Sequence, residues 1–282
     1  MTTADEDILR VEGLDFAYPD GTVALRGIDL EIHRGEFLAI IGQNGSGKTT
    51  LAKHFNGLLK PSEGDVIIFG MNTKNASVAE TTSRVGYVFQ NPDHQLCHRT
   101  VEEEAAFGPK NLGLSDEEIK NRVNEQLKFF DLEARRNEDP FFLSKAERQR
   151  LAIASVLAMH PELIVVDEPT TGMDHRQSVA MLELLDELNK KGYGVVIITH
   201  NMQLVAEYAK RVIVMLEGRV CLDGSPREAF TKTEILEKTF LKPPQIARLS
   251  LMLSDFGFGV TLNTKEFVET LNEKSIGTRR KR

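Results

Sequence analysis

A glycine-rich run with a single lysine is the first group of residues whose types and spacing could do chemistry. The run is Gly42, Gln43, Asn44, Gly45, Ser46, Gly47, Lys48 and Thr49, with Thr50 directly after it. Glycines let a backbone wrap closely enough for its N–H groups to point at phosphate oxygens. The lysine would reach the terminal phosphates, and the first threonine would offer its hydroxyl to magnesium. The spacing predicts a phosphate cradle; the alternative is a glycine-rich turn with an incidental lysine.

Two carboxylates stand at the end of a later apolar run, 163–168. A buried parallel strand delivers the residues at its end to the sheet edge where ligands bind. Asp167 would bind magnesium there, directly or through water, and Glu168 would polarise the water that attacks a γ-phosphate. Strands often end in acidic residues, so this run alone is weak evidence for a metal site. The phosphate cradle upstream strengthens that interpretation. Together they predict nucleotide hydrolysis.

The segments around these residues predict an α/β fold. We expect a strand at 37–41 before the cradle and a helix at 48–56 after it. Further strands are expected at 163–166, 195–199 and 211–215. Their continuous apolar character favours a parallel sheet covered by helices on both faces.

In two other regions the apolar residues recur at different spacings. The first forty residues alternate as half-buried antiparallel strands do, with Leu14, Phe16 and Tyr18 on one face and Ile28, Leu30 and Ile32 on another. The sequence is helical from about 92 to 140. There Ser115 and Glu118 form a capping box that opens a helix with the apolar stripe Ile119, Val123, Leu127 and Phe130.

Composition excludes some classes of function. The 282 residues carry a formal net charge of −7, which gives no basic footprint of the kind nucleic-acid-binding proteins show. Cys97 and Cys221 have no metal-ligand spacing and suggest no disulfide framework, which suits a reducing cytoplasm. We expect no signal peptide. The apolar runs are far shorter than the ~20 residues that span a bilayer, so any membrane role would go through a partner.

The phosphate cradle and the two carboxylates that follow it occur in the same order as in the ATP-binding subunits of ATP-binding-cassette (ABC) systems. The chain resembles those subunits over residues 8 to about 222. The resemblance implies a P-loop NTPase fold that binds ATP and Mg²⁺, with an antiparallel β subdomain, a helical subdomain and a small C-terminal extension. It implies that Tyr18 stacks on adenine, Gln90 serves magnesium and His200 senses the γ-phosphate. It also implies a dimer-contact loop that ends at Asp174. Taken singly, Tyr18 could be a core aromatic ring, Gln90 a solvated loop residue and His200 a structural histidine.

A narrower resemblance is to the energy-coupling-factor group, which includes cobalt and nickel importer ATPases. It depends on residues 90–114 and on Lys242–Gln245 in the tail. We therefore expect an ABC ATPase domain at 1–223, with its helical subdomain at about 92–158, and a C-terminal extension at 224–282. The extension has an apolar stripe, Ile246, Leu249, Leu253 and Phe256, that would pack on the ATPase core or on a second copy. Its basic ending, Arg279–Arg282, would be solvated.

One motif departs from the family pattern. The ABC signature, usually Leu-Ser-Gly-Gly-Gln, corresponds here to Leu143 followed by Ser144, Lys145, Ala146 and Glu147. In the family, this helix start donates backbone N–H groups to the γ-phosphate held by the opposite subunit. Ser144 and Glu147 predict a capping box, so the helix would begin well. The lost glycines and the added negative charge predict a degenerate signature; the alternative is a tolerated variant that still closes.

The resemblance implies an ATP-hydrolysing subunit of an energy-coupling-factor importer on the cytoplasmic face of the cell membrane. Lys48, Glu168 and His200 would be catalytic, and Thr49, Gln90 and Asp167 would serve the metal. The partners would be a second ATPase subunit, which is either a copy of this chain or a different subunit with an intact signature, and two membrane subunits. One membrane subunit is a transmembrane coupling subunit, and the other binds the substrate. A soluble ABC ATPase not linked to transport and a non-catalytic regulatory subunit are the alternatives. The sequence leaves cobalt, nickel and vitamins open as solutes.

Overall fold

The computed structural model describes residues 7–279, with side chains as far as residue 273. The acidic residues 1–6 and the end of the predicted solvated tail, 280–282, lie outside the described residues. Within the described chain, no helix is both long enough and apolar enough to cross a membrane.

A mainly parallel sheet of six strands forms the centre of the fold. The strands are β3 (Phe37–Gly42), β6 (Val85–Val88), β7 (Leu163–Asp167), β8 (Gly194–Ile198), β9 (Arg211–Leu216) and β10 (Arg219–Gly224). Their order is β10-β9-β3-β8-β7-β6, and every neighbouring pair is parallel except β9 and β10. The expected parallel sheet is confirmed. The short strand β6 and the edge strand β10 were not predicted, because neither carries a long apolar run.

A second sheet is antiparallel throughout, as the alternation near the N-terminus predicts. Its strands are β1 (Asp7–Ala17), β2 (Val23–His33), β4 (Glu63–Ile68) and β5 (Met71–Asn72), in the order β2-β1-β4-β5. The predicted inward residues Leu14, Phe16, Ile28, Leu30 and Ile32 are buried. The sheet also recruits β4 and β5 from beyond the first forty residues, which the sequence analysis did not anticipate.

Two hydrophobic cores lie on opposite faces of the central sheet. Alternate residues of β3 divide between them: Phe37, Ala39 and Ile41 face the helices, and Leu38 and Ile40 face the antiparallel sheet. This two-sided burial explains why the strand is a continuous apolar run.

The helices lie between and around these sheets. They are α1 (Lys48–His54), α2 (Val78–Thr82), α3 (Val101–Asn111), α4 (Asp116–Phe129), α5 (Lys145–Leu157), α6 (His175–Lys190), α7 (Met202–Tyr208), α8 (Pro226–Thr231), α9 (Thr233–Lys238), α10 (Gln245–Met252) and α11 (Thr264–Arg279). The capping box at Ser115 and Glu118 begins α4 as predicted, and the predicted stripe of α4 is buried.

The predicted apolar stripe of the C-terminal extension is not the face by which helix α10 packs on the rest of the chain. Helix α10 ends at Met252, and its buried positions are Ala247 and Ser250, since these small residues sit against the core. Leu249 and Phe256, two members of the predicted stripe, are 41% and 73% exposed. The extension therefore packs on the rest of the chain through one face and leaves apolar side chains exposed on another.

Candidate functional site

The glycine-rich run forms the loop between β3 and α1. Gly42, Gly45 and Gly47 have φ angles of 155°, 81° and 99°, a region that side chains with a Cβ rarely adopt. A Cβ on Gly47 would lie 2.7 Å from the carbonyl oxygen of Ala24, and one on Gly42 would lie 2.6 Å from Ser46 Oγ. Both backbone conformation and close packing therefore require glycine in this loop.

Lys48 reaches back across this loop from the first position of α1. Its Nζ donates to the carbonyl oxygens of Gly42 and Gln43, at 2.8 Å each. Burial lowers the pKa of Lys48, while the negative charges of Glu168 and Asp167 raise it. A phosphate would offer the ammonium a charged acceptor, which makes a stronger hydrogen bond than these neutral carbonyls do.

Thr49 and Asp167 meet although they are far apart in the sequence. Thr49 Oγ1 donates to Asp167 Oδ2 at 2.8 Å, and the hydroxyl of Tyr87 donates to the same oxygen at 3.0 Å. Burial raises the pKa of Asp167, and the hydrogen bonds from Thr49 and Tyr87 oppose that rise. Tyr87 lies on β6, next to β7 in the sheet, and the sequence analysis did not include it in the site.

Glu168 is held in an uncommon backbone conformation directly after β7. Its φ is 49°, and its N–H donates to the carbonyl oxygen of Ile198 at 2.8 Å. One carboxylate oxygen, Oε1, lies 2.8 Å from Nδ1 of His200. The other, Oε2, is buried and has no hydrogen-bond partner. Glu168 and His200, which the sequence analysis assigned to separate roles, are therefore in direct contact, and one carboxylate oxygen is left to accept a proton.

The remaining predicted residues define a cleft of about 330 Å³ around the loop. It is lined by Tyr18, Asn44, Gly45, Gly47, Lys48, Thr49, Thr50, Gln90, Asp167 and Glu168, among others. The hydroxyl of Tyr18 shares a hydrogen bond with Thr50 Oγ1 at 2.9 Å, which fixes its ring at one side of the cleft. Gly42, Gln43 and Ser46 shape the loop without lining the cleft.

The donor set in this cleft fits a nucleotide with magnesium. Threonine and carboxylate oxygens are ligands that Mg²⁺ prefers, and it usually takes one or two of them together with phosphates. Ser46 Oγ is buried inside the loop and has no hydrogen-bond partner. Lys48 and the loop amides would hold phosphates, and Thr49, Gln90 and Asp167 would serve the metal.

A larger cleft, of about 1020 Å³, lies between helices α6 and α7 and the C-terminal extension. None of the predicted site residues lines it. The chemistry of the lining residues, and not the cleft volume, therefore identifies the site.

The altered signature lies at the start of α5, outside the cleft around the phosphate loop. Ser144 and Glu147 form the predicted capping box: the Ser144 N–H donates to Glu147 Oε2 at 2.8 Å. The hydroxyl of Ser144 and the charge of Arg135 hold the pKa of Glu147 below its usual range, so the carboxylate stays charged. The ammonium of Lys145 lies against Gly172 in the predicted dimer-contact loop.

One grouping of side chains differs from the sequence expectation that no cysteine has metal-ligand spacing. Cys97, His98 and Glu104 place one sulfur, nitrogen or oxygen each within 4.8 Å of one another. Spacing alone did not indicate this, because Glu104 belongs to the first turn of α3 and the loop before α3 folds back onto it.

Comparison with known proteins agrees with this fold and site. The protein-family profile described as ABC transporter matches residues 25–171, which is more than half of the chain. The chain belongs to the ABC transporter family of ATP-binding proteins.

Curated relatives place it more narrowly within that family. It is 42% identical to the energy-coupling factor transporter ATP-binding protein EcfA of Methanocaldococcus jannaschii, over 95% of this chain and 99% of that protein. It is 52% identical to a putative ABC transporter ATP-binding protein of Caldanaerobacter subterraneus subsp. tengcongensis, over 86% of this chain. It spans only 43% of the length of that protein.

Solved structures support the same assignment of fold. The structure of cbiO1 from Clostridium perfringens, described as part of the ABC transporter complex cbiONQ, superposes with a TM-score of 0.76. The identity is 38%, and the match covers 89% of this chain and all of that one. The predicted ABC cassette fold is confirmed.

Proposed function

We propose that the chain is the ATP-hydrolysing motor subunit of an energy-coupling-factor type importer. The observation that carries this is the contact of Thr49 with Asp167 at 2.8 Å beside the unpaired carboxylate oxygen of Glu168. It joins a metal-binding pair to a base, and both lie at the mouth of the phosphate loop. The EcfA relative and the cbiO1 structure support the transport role.

Catalysis in this site is positioning and charge stabilisation. The amides of the loop and the Lys48 ammonium bind phosphate oxygens and offset their charge. Bound Mg²⁺, held by Thr49, Gln90 and Asp167, would neutralise part of the charge on the phosphoryl group during its transfer. Glu168 accepts the proton of the attacking water through Oε2, while His200 orients the carboxylate through Oε1. Tyr18 offers its ring to the adenine.

Two such subunits would enclose two nucleotides between them. Each site would join one subunit's Lys48 and Glu168 to the signature of the other. The glutamine loop at Gln90 and the helical subdomain would transmit closure to a transmembrane coupling subunit, and a further membrane subunit would bind the solute. This places the chain on the cytoplasmic face of the membrane. Cobalt, nickel and vitamins are the solutes that this class of importer carries.

The altered signature supports a second candidate, a regulatory nucleotide-binding subunit. Glu147 is charged and Lys145 occupies a position that is glycine in the usual motif. If its own site did not hydrolyse ATP, the chain would act by binding nucleotide only. The unpaired oxygen of Glu168 favours the catalytic role.

Two variants separate these functions. Lys48→Ala should abolish hydrolysis and weaken ATP binding, because the change removes the ammonium group that would contact the β- and γ-phosphates. Glu168→Gln should keep ATP binding and lower turnover by about 10²–10⁴-fold, the usual contribution of a general base. Glu183→Gln, an exposed change on α6, is the control.

Both variants are compared in the complex purified from membranes and in the isolated chain. Turnover by Glu168→Gln equal to that of the unaltered protein would exclude Glu168 as the base. ATP binding without turnover in every preparation would favour the regulatory role.

A further inference from the structure

We propose that Cys97, His98 and Glu104 form a binding site for a divalent transition-metal ion of the Zn²⁺, Co²⁺ and Ni²⁺ class. We call these three residues the Cys97 site. It lies in the loop before α3 and in the first turn of that helix, and it shares no residue with the nucleotide cleft.

Two of the three distances between the ligand atoms match tetrahedral coordination. Cys97 Sγ lies 3.4 Å from His98 Nδ1, and that nitrogen lies 3.2 Å from Glu104 Oε2. Zn–S bonds of about 2.3 Å and Zn–N or Zn–O bonds of about 2.0–2.1 Å, at the tetrahedral angle, give separations of about 3.5 Å and about 3.3 Å. These two pairs of ligand atoms are thus already spaced as a metal would hold them, and the third pair lies within 4.8 Å.

The loop is fixed in this arrangement by the carboxylate itself. Glu104 Oε2 accepts the backbone N–H groups of Cys97 and His98, at 2.8 and 2.9 Å. Thr100 caps α3 through the N–H of Glu103, so the helix start is held separately. Metal binding would therefore need little reorganisation of the backbone.

Glu104 is a buried carboxylate. It is 2% exposed, and among the described residues its one ion-pair partner is His98. Burying a carboxylate is costly unless its charge is balanced. A divalent cation bound together with the neutral imidazole of His98 would balance it.

The surroundings favour a borderline transition metal over magnesium or calcium. Thiolate and imidazole select Zn²⁺-like ions, whereas Mg²⁺ and Ca²⁺ take oxygen ligands. The ring of Phe107 lies 4.7 Å from that of His98 and limits its rotation. Three protein ligands leave the fourth position to water, and Cys97 is exposed.

Cobalt is the probe, since a thiolate bound to Co²⁺ gives a charge-transfer band and a tetrahedral site gives intense visible bands. Co²⁺ is titrated into the full, reduced, tag-free chain without nucleotide or magnesium. We expect both sets of bands, and Zn²⁺ should displace them. Cys97→Ser should remove the charge-transfer band, and Cys221→Ser, which alters the other exposed cysteine, should keep it.

Calorimetry with Zn²⁺ gives a second measurement. Cys97→Ser should weaken Zn²⁺ binding by more than about tenfold, because loss of a partner outside the coordination shell alone costs about 10–100-fold. Absence of the charge-transfer band in the unaltered chain, or its loss in Cys221→Ser only, would overturn the proposal. So would equal Zn²⁺ affinity in Cys97→Ser. The trio Asp7, Glu31 and His33 has no thiolate and cannot give that band.

Discussion

The hydroxyl of Tyr87 is the residue-scale contact that joins the sheet to the metal-binding carboxylate. It donates to Asp167 Oδ2 at 3.0 Å from a ring that is 6% exposed. Burial and the neighbouring charge of Asp167 raise the pKa of Tyr87, so the phenol stays protonated and can only donate to the ionised carboxylate. Tyr87 therefore favours the charged form of Asp167, which is the form that binds Mg²⁺.

Tyr87→Phe should weaken the apparent binding of Mg²⁺ by about two- to tenfold, the equivalent of one hydrogen bond. The pKa of Asp167 should rise further, because one of the two hydrogen bonds that oppose its rise is lost. Mg²⁺ binding, which is lost as pH falls through that pKa, should then fail at a higher pH. ATPase activity against Mg²⁺ concentration at several pH values measures both effects.

Tyr193→Phe is the matched control, since Tyr193 is half-buried and lies at the other end of the sheet. Equal Mg²⁺ dependence in the Tyr87 variant and the unaltered protein would show that Tyr87 is a packing residue only.

The residues of the site were predictable to different degrees. The phosphate loop is one continuous run of residues, and Asp167 and Glu168 are neighbours in the sequence. Spacing alone therefore identified each of these two groups. Tyr87 is 80 residues from Asp167, and only the pairing of β6 with β7 brings it near. Glu104 likewise reads as an ordinary first-turn acid until the preceding loop folds back onto it.

At the scale of elements, the N-terminus of α5 decides how well this chain can complete a partner's site. Ser144 and Glu147 satisfy each other's N–H groups, so the helix is well capped. The same arrangement fixes a negative charge where the family pattern places a γ-phosphate. The helix start thus gains local stability at the expense of phosphate binding.

Restoring the usual motif with Lys145→Gly, Ala146→Gly and Glu147→Gln should raise the ATPase rate of the chain alone by about a hundredfold. This is the effect of one preorganised contact to the transition state. Single-turnover and steady-state rates measure it. A partner with an intact signature should give a similar gain to the unaltered chain.

Glu147→Gln alone separates charge from backbone access, because glutamine also completes a capping box. A full gain from this single change would assign the defect to the charge. No gain from the triple variant, with the unaltered chain already fast, would show that the signature functions as it is.

Helix α10 carries exposed apolar side chains that could form a contact with another subunit. Leu249 and Met252, three positions apart on this helix, are 41% and 78% exposed, and Phe256, in the short 3-10 turn that follows it, is 73% exposed. We expect this face to pair with a second ATPase subunit. Leu249→Asp with Met252→Asp should shift the solution mass towards the monomer in analytical ultracentrifugation.

Val78→Asp, a change of an equally exposed apolar residue at the start of α2, should leave the mass unchanged. These point changes are preferable to cutting the chain after Gly224, because that cut would also remove the buried Ala229, Phe230 and Leu236. Dimerisation as strong as that of the unaltered chain would remove the pairing role from α10.

At the scale of the whole molecule, the buried His54 links stability to pH. It lies at the end of α1, and its Nδ1 donates to the carbonyl oxygen of Thr50 at 2.8 Å, while Nε2 has no partner. Burial lowers the pKa of His54 below 6.5. The folded protein therefore resists protonation of this ring, whereas the unfolded chain accepts it.

The free energy of unfolding should consequently fall as pH drops below about 6.5, because the unfolded state then binds the extra proton. Above that pH the ring is neutral in both states and contributes no slope. Urea denaturation at several pH values checks this, and His54→Gln should show a shallower loss. The exposed His94→Gln is the control; an identical slope for the two variants would exclude His54 as the cause.

The overall architecture was more predictable than its connections. Continuous apolar runs identified β3, β7, β8 and β9, because two-sided burial imposes that pattern. The capping boxes identified the starts of α4 and α5. The partner of β1 at β4 and the register of α10 were not predictable, since both depend on tertiary packing that local spacing does not encode.

The position of β3 between β8 and β9 has a consequence for synthesis. The ribosome makes residues 37–42 early, but both neighbouring strands, at 194–198 and 211–216, come more than 150 residues later. Such non-local pairing makes folding slow and leaves apolar segments open in the meantime. Until about residue 198 has emerged, β3 has no neighbour on either edge, and until about residue 216 it still lacks β9. The nascent chain should therefore depend on chaperones and gain nucleotide binding only after both strands have been made.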